Sequence, residues 1–262
     1  MTKIIFSNSS WFQVYNLVKN DIKTRYSRNL FGSIWAILDP FIYILVIWLI
    51  FKYSLKAPAI NDAPYITFLI PGFIIFDFCS KSLSQSVLSF KTYSYLLNNK
   101  NFNHFLLPNI QILSELFIHI VILSISVIIL QLNGIPFSIY WFQIIYYIIS
   151  SYVFIVGLSL IFSSLYLFFP DVKIVTDIVL RLCFFITPIF WDIRTLPHSI
   201  QFIFKLNPFY YLVTGYRDCF IDCTGFWQQP VLTCYFWSVS IILLAIGLYL
   251  YRRFLPHFAD FV

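Results

Sequence analysis

The chain alternates long apolar stretches with short polar segments. Six apolar stretches lie at about residues 33–51, 65–88, 109–132, 139–169, 174–190 and 231–251. A helix needs roughly 20 mostly apolar residues to cross a bilayer, so each stretch has a suitable length. The pattern predicts an all-α membrane protein with six transmembrane helices. They form one transmembrane domain over residues 1–262, with spans one to five between residues 33 and 190.

Residues 11–30 show a different periodicity. Apolar residues recur at three- and four-residue steps at Trp11, Tyr15, Val18, Ile22 and Tyr26, and polar residues occupy Asn16, Lys19, Asn20 and Lys23. This spacing predicts an amphipathic helix. A basic polar face opposite an aromatic one is typical of helices that lie in the membrane interface. Its basic residues would contact either anionic lipid headgroups or a partner protein.

Residues 191–230, between the fifth and sixth stretches, are neither fully apolar nor typical of a soluble loop. Their apolar pieces are too short to cross a bilayer and are interrupted by Pro208. Backbone at membrane depth must be shielded by protein or line a cavity. The segment is therefore predicted to form short re-entrant or interfacial helices.

The composition supports a membrane protein and suggests its orientation. Only 11% of the residues are charged and 60% are hydrophobic, whereas a soluble domain carries about 25% charged residues. Most of the 17 Lys and Arg residues fall on the side of the membrane that holds the N-terminus. Because basic residues concentrate in cytoplasmic loops, both termini are predicted to be cytoplasmic.

Several ionisable residues lie inside the predicted spans, where each costs about 2.5–3.5 kcal/mol on insertion scales. Three have a possible partner four residues away: Asp77 with Lys81, Glu115 with His119, and Asp177 with Arg181. Pairing within one helix would lower the cost of insertion. Alternatively, some of these groups face an aqueous pathway, and Arg181 could then bind a phosphate bidentately. Asp39, beside Pro40, has no such partner and is expected to cap backbone at a helix break.

The sequence lacks the motifs of nucleotide, metal and hydrolase chemistry. Its seven glycines form no GxxxxGK[ST] phosphate loop, and neither HExxH nor GxSxG occurs. The five cysteines have no zinc-site spacing. We therefore expect a non-enzymatic chain that binds no metal or cofactor itself, so that any ATP hydrolysis belongs to another chain.

Several segments together resemble the permease subunits of ABC exporters for lipid-linked polysaccharides. The opening run VKNDIKTRYSRNLFGSIWAILDPFIYILVIWLIF is similar to the family's basic interface helix and first span. FLIPGFIIFDFCSKSLSQSVLS is similar to its second span, and LFFPDVKIVTDIVLRLCFFITPIFWD to its fourth-to-fifth region, with Pro170-Asp171 where the family usually has Arg-Asp. FIFKLNPFYYLVTGYRD and the ending HFADFV complete the resemblance, which covers nearly the full length.

The resemblance implies a function and a set of partners. It implies a homodimer of permeases bound to two cytoplasmic ABC ATPase subunits, which carry ATP and Mg²⁺. It further implies export of undecaprenyl-diphosphate-linked O-antigen, capsular polysaccharide or teichoic acid across the bacterial inner membrane, in contact with membrane lipids and without nucleic acid. The alternatives are a membrane-embedded glycosyltransferase or ligase, for which Asp192, Arg194, His198, Arg217, Asp218 and Asp222 are the available residues, and an ion-driven secondary transporter.

The resemblance also suggests which residues carry each role. ATPase docking is expected at Asp21, Lys23, Arg25, Arg28, Leu97, Asn98, Asn99 and Phe105. The substrate channel, between the first and fifth spans, is expected to include Tyr43, Ile47, Arg181, Phe184 and Phe185, because aromatic faces suit the apolar faces of sugars. The extracytoplasmic gate is expected to include Trp191, Phe202, Pro208, Tyr210 and Tyr211.

Overall fold

A computed structural model of the chain describes residues 8–27, 30–54, 64–97 and 102–260. Within these residues the protein is helical and contains no strand. The helices are α1 (Asn8–Tyr26), α2 (Ile34–Leu49), α3 (Tyr65–Ser86), α4 (Ser89–Thr92), α5 (Ser94–Leu97), α6 (Leu106–Leu132), α7 (Gln143–Tyr166), α8 (Asp171–Ile186), α9 (His198–Lys205), α10 (Pro208–Arg217) and α11 (Pro230–Phe254). The prediction of an all-α membrane protein is confirmed.

Five segments of the described chain are long and apolar enough to cross a membrane. They are Ile34–Ser54, Tyr65–Ser86, Leu106–Leu132, Ile139–Tyr166 and Pro230–Phe254. A π-helical turn, Ile50–Ser54, extends α2, and a 3-10 turn, Ile139–Phe142, leads into α7. The remaining predicted span corresponds to α8, which has only 16 residues. This helix starts earlier than predicted and stops before Pro188, whose ring cannot continue it.

Helix α3 lies at the centre of the protein. Residues on all of its sides are buried, including Leu69, Ile70, Ile75 and Cys79. It packs against α2, α6, α7, α8 and α10. The N-terminal half of α3 is almost entirely apolar, as expected for a helix that is buried on all sides, and the packing of α3 fixes where its neighbours can lie.

Helices α7 and α11 approach each other closely at two glycines. A Cβ atom on Gly247 would lie 2.7 Å from the Gly157 carbonyl oxygen, and one on Gly157 would lie 2.8 Å from the Leu244 nitrogen. Small residues allow membrane helices to bring their backbones together. This contact joins the last helix to the rest of the protein.

Gly247→Ala should therefore destabilise the protein by forcing α7 and α11 apart. Overpacking a tight contact costs ~1–3 kcal/mol, which thermal unfolding of the detergent-purified protein would detect. Ala245→Val adds volume on the exposed side of the same helix and should leave the melting temperature unchanged. Equal melting temperatures for Gly247→Ala and the parent protein would contradict the close contact.

Candidate functional site

A groove of about 810 Å³ lies between α2, α3 and α8. All five residues predicted to line a channel border it: Tyr43, Ile47, Arg181, Phe184 and Phe185. Asp39, Tyr43 and Ile47 recur at four-residue steps on α2, and Asp177, Arg181, Phe184 and Phe185 follow three- and four-residue steps on α8. The side chains that face the groove therefore form one stripe on each helix.

One half of the groove is charged and begins with an ion-pair cluster around Lys81. The Lys81 ammonium lies 2.8 Å from an Asp39 carboxylate oxygen and 3.0 Å from one of Asp77. The predicted pair between Asp77 and Lys81 is confirmed. Asp39 joins α2 to α3 through Lys81, so the expectation that it caps backbone at the Pro40 break is wrong.

The second charged cluster belongs to α8. Lys173 Nζ donates to both carboxylate oxygens of Asp177, at 2.7 and 2.8 Å, and to the Ser84 hydroxyl at 2.6 Å. Ser84 also donates to Asp177, at 2.8 Å. The predicted pair between Asp177 and Arg181 is therefore wrong. Helical side chains tilt toward the N-terminus, and the Asp177 carboxylate meets Lys173 and Ser84 there.

The other half of the groove is aromatic. Phe73 lies 6.4 Å from Tyr43 and 6.1 Å from Phe184, measured between ring centroids. Phe184 also contacts Phe76 at 5.6 Å and Phe185 at 5.4 Å. These rings offer apolar faces to a ligand in the groove.

Arg181 lies between the two halves. It is one helical turn beyond Asp177 and one turn before Phe184 and Phe185, and its side chain is exposed. Among the residues that the structure describes, no carboxylate lies within ion-pair distance of it. Its guanidinium is therefore available to an anionic ligand.

The residues predicted for ATPase docking lie partly inside the protein. Asp21 is buried and accepts hydrogen bonds from Arg25 at 2.6 Å, from the Tyr93 hydroxyl at 2.9 Å and from Gln111 at 2.9 Å. Arg25 also pairs with Glu115 and donates to Gln111 at 2.7 Å. This network, which we call the α1–α6 network, ties α1 to α6 and to the residue between α4 and α5.

The predicted pair between Glu115 and His119 is also wrong. Glu115 pairs with Arg25, which is 90 positions away in sequence. His119 forms a 2.9 Å hydrogen bond with the Tyr216 hydroxyl. Local spacing cannot reveal a partner that only the packing of α1 against α6 brings close.

The other docking candidates are distributed between surface and interior. Lys23 is exposed, Leu97 is buried, and Phe105 is half-buried against Tyr251, with ring centroids 6.1 Å apart. Arg28, Asn98 and Asn99 lie outside the described residues. The sequence analysis missed Lys91 and Tyr95, which are exposed on α4 and α5. The signal available in the sequence was an aromatic residue, Tyr95, within the polar segment that follows the second apolar stretch.

The predicted gate residues lie in α9, in α10 and in the segment that precedes α9. Trp191 donates to the Phe185 carbonyl at 3.2 Å and packs edge-on against Phe204, whereas Phe202 is exposed. Pro208 occupies the first turn of α10. Tyr210 is buried, and the buried Tyr211 hydroxyl lies 2.8 Å from that of Tyr146.

Asp192 lies in the turn that precedes α9. Burial raises the pKa of this carboxyl, but hydrogen bonds from the Arg194 side chain and backbone outweigh it and hold the pKa below its ordinary value. Asp192 and Arg194 therefore form a local ion pair at the surface, with the carboxylate 2.7 Å from the guanidinium.

Arg25→Ala should destabilise the protein because it leaves Asp21 and Glu115 buried without their cation. Breaking a buried ion pair from one side costs ~3–5 kcal/mol. We expect the lower end of this range, because 18% of the Arg25 side chain is exposed. Thermal unfolding in detergent would measure the loss. Lys23→Ala, on the exposed face of the same helix, should cause no shift, and similar shifts for both variants would contradict the α1–α6 network.

Comparison with known proteins identifies the family. Residues 12–221 match the ABC-2 type transporter family. The chain belongs to this family. The match contains the walls of the groove and the α1–α6 network. No group of three or more His, Cys, Asp or Glu residues is placed to hold a metal within the described part of the chain.

Several relatives of this ABC-2 type transporter match it over most of its length. The O-antigen export system permease protein RfbA of Klebsiella pneumoniae is 26% identical over 245 residues, which cover 93% of this chain and 92% of the relative. The polysialic acid transport protein KpsM of Escherichia coli is 26% identical, with 90% and 91% covered. The capsule polysaccharide export inner-membrane protein CtrC of Neisseria meningitidis is 21% identical, with 91% and 89% covered.

Proposed function

We propose that this chain is the non-catalytic permease subunit of an ATP-driven exporter for lipid-linked polysaccharide. The observation that carries the proposal is the groove, which has a charged half, an aromatic half and an exposed arginine between them. A lipid-linked glycan would complement this groove. Its diphosphate is anionic and could contact the arginine, and the apolar faces of its sugars could contact the aromatic rings. The relatives' names place O-antigen, polysialic acid and capsule polysaccharide among the cargoes of similar proteins.

In this proposal α8 is the fifth of six transmembrane spans and α11 is the sixth. Its 16 residues rise about 24 Å at 1.5 Å per residue, and the extended residues that follow make up the remaining distance across the roughly 30 Å hydrocarbon core. Both termini then lie in the cytoplasm of a bacterium, α1 lies in the membrane interface, and α9 and α10 form the extracytoplasmic gate region. The charged half of the groove faces the cytoplasm and the aromatic half faces outward.

A second copy of the chain would close the groove into a conduit. The groove is open on one side, and the neighbouring faces of α2 and α8 expose apolar side chains at Ile42, Val46, Ile178 and Leu182. A contiguous apolar surface beside a binding groove favours an interface with another protein as well as contact with lipid. We propose a homodimer in which these faces meet, with an undecaprenyl-diphosphate-linked O-antigen, capsule or teichoic acid precursor between the copies.

The two arginines among the residues available for a glycosyltransferase or ligase site are both held by contacts within the protein. Arg217 is buried and donates to backbone carbonyls, while Asp192 pairs with Arg194 at the surface. The structure therefore favours transport over transfer chemistry on this side of the protein.

Arg181 is proposed to bind the lipid diphosphate as the substrate enters the groove. Because Asp177 is already paired with Lys173, Arg181→Ala leaves no carboxylate unpaired and should not change thermal stability. It should nevertheless abolish most export of lipid-linked glycan in vesicles that contain the permease and its ATPase. Arg181→Lys keeps the charge but loses the fork geometry, so it should export at an intermediate rate.

The matched control is Arg253→Ala. Arg253 is an exposed arginine near the end of α11, and its guanidinium donates to the Tyr249 hydroxyl. This variant should export at the parent rate. Full export by Arg181→Ala would rule out the phosphate role.

The short helices α4 and α5 are proposed to dock the ATPase, which binds ATP and Mg²⁺. Lys91 and Tyr95 are exposed there, and 63% of the Tyr95 side chain is accessible. Helices α4 and α5 form a surface that we call the α4–α5 corner. It is held from two directions: Tyr93 donates to Asp21 of α1, and Phe90 packs on Phe258 with ring centroids 4.6 Å apart. Aromatic residues are enriched at binding hot spots. The exposed Lys23 of α1 would extend this surface.

The double change Lys91→Glu with Tyr95→Ala should weaken co-purification of the ATPase. Lys205→Glu, a charge reversal on α9 that the proposed topology places on the opposite side of the membrane, should leave it intact. The permease alone should hydrolyse no ATP, and the assembled complex should hydrolyse it. If the double variant still forms a complex with the ATPase and couples ATP hydrolysis to export, the ATPase docks on another surface.

A further inference from the structure

Residues 187–190, which we call the closing segment, follow α8 without forming a helix. Side chains from other elements donate hydrogen bonds to several of their oxygen atoms. The Tyr65 hydroxyl donates to the Phe190 carbonyl at 2.6 Å, and Asn207 donates to the Thr187 hydroxyl at 2.8 Å. Irregular backbone at membrane depth requires such partners. The closing segment is therefore held by donors on α3 and at the residue that precedes α10.

Arg217, the last residue of α10, supplies the two remaining donors. Its guanidinium donates to the Pro188 and Ile189 carbonyls, at 2.6 Å each, and its Nε donates to the Phe68 carbonyl of α3 at 3.1 Å. The side chain is only 5% exposed. Within the described residues no carboxylate lies within ion-pair distance of it. One side chain thus fastens the closing segment to α3 and α10 together.

The residues around Arg217 leave space for its guanidinium and place an aromatic ring against it. Its central carbon lies 3.5 Å above the centre of the Phe68 ring, a favourable position for a cation on an aromatic face. A Cβ atom on Gly72 would lie 2.9 Å from a guanidinium nitrogen. Glycine at this position leaves the space that the side chain occupies.

The closing segment ends at the aromatic half of the groove. The Phe190 ring lies 5.6 Å from Phe184, 6.1 Å from Phe185 and 5.8 Å from Phe51. The segment therefore carries the ring that joins the end of α8 to the end of α2. Any displacement of the segment would move Phe190 away from the end of the groove.

We propose that Arg217 is a positioning residue that keeps the outer, aromatic end of the conduit closed in the resting transporter. This inference rests on the proposed function, because it treats the groove as half of an export conduit. Opening this end for a glycan would require the Pro188 and Ile189 carbonyls to separate from the guanidinium. The arginine is required for its geometry, since a lysine ammonium retains the charge but cannot reach three carbonyls with a rigid fork.

The test is passive leakage from vesicles filled with self-quenched carboxyfluorescein and containing the purified permease–ATPase complex without ATP. Arg217→Lys should increase dye release several-fold over the parent complex while ATP hydrolysis continues. Tyr65→Phe, which removes only the hydroxyl that holds Phe190, should give a smaller increase. Tyr235→Phe is the matched control, because its hydroxyl donates to the Leu206 carbonyl at 2.7 Å, outside the closing segment. It should leak no more than the parent.

The result that overturns the proposal is an Arg217→Lys complex that assembles, hydrolyses ATP and retains dye as well as the parent. If Arg217→Lys does not assemble, Tyr65→Phe decides, and dye retention equal to that of Tyr235→Phe overturns the proposal. ATP-dependent glycan export by the parent complex is measured in parallel. Export by the parent together with tight Arg217→Lys vesicles refutes the positioning role alone, whereas absence of export by the parent refutes the proposed function.

Discussion

A charge or an unpaired backbone group within an apolar environment costs several kcal/mol, and the fold of this protein depends on meeting that cost with partners on other helices. Lys81 draws Asp39 of α2 to α3, Lys173 and Asp177 reach Ser84 of α3, and Arg25 joins α1 to α6. Each interaction offsets the burial of a charge and also fixes how two helices pack.

The groove arises because three helices present polar and aromatic stripes toward one another. The charged groups lie toward the C-terminal end of α3, and the rings lie toward its N-terminal end, so an elongated amphipathic ligand would meet different chemistry along its length. Lys81 and Lys173 already have carboxylate partners in the groove. Arg181 is thereby distinguished from the other two cations, since its guanidinium has no carboxylate partner among the described residues. That difference is the reason why Arg181 is proposed as the contact for a phosphate group.

The two ends of the protein are connected through α3. At one end, the α1–α6 network and the C-terminal Phe258 hold the α4–α5 corner, where an ATPase is proposed to dock. At the other end, Tyr65 and Gly72 of α3 contact or accommodate the groups that hold the closing segment. Because α3 packs against α6 and is followed directly by α4, a displacement of α3 would reach both the α4–α5 region and the aromatic end of the groove. Packed helices can transmit such a displacement because protein interiors are closely packed.

The sequence by itself determined the fold class and the positions of most apolar helices, since these depend on local length and periodicity, and its resemblance to known permeases indicated the family. The same resemblance assigned five residues to a channel; the structure brings all five to one groove, and their role in a channel stays a prediction. Of the ion pairs predicted from the sequence, the pair of Asp77 with Lys81 is confirmed, because the two residues lie one turn apart on the same helix. The predictions failed for Glu115, whose partner Arg25 is brought close only by packing, and for Asp177, which pairs with Lys173 on the preceding turn and not with Arg181 on the following one. Only the tertiary structure decided that Asp21 and Arg25 lie in an internal network and that Arg217 holds three carbonyls. Arg217 is separated in sequence from the residues that carry these carbonyls by 28 to 149 positions. No local sequence pattern encodes a contact that forms only when distant helices pack together.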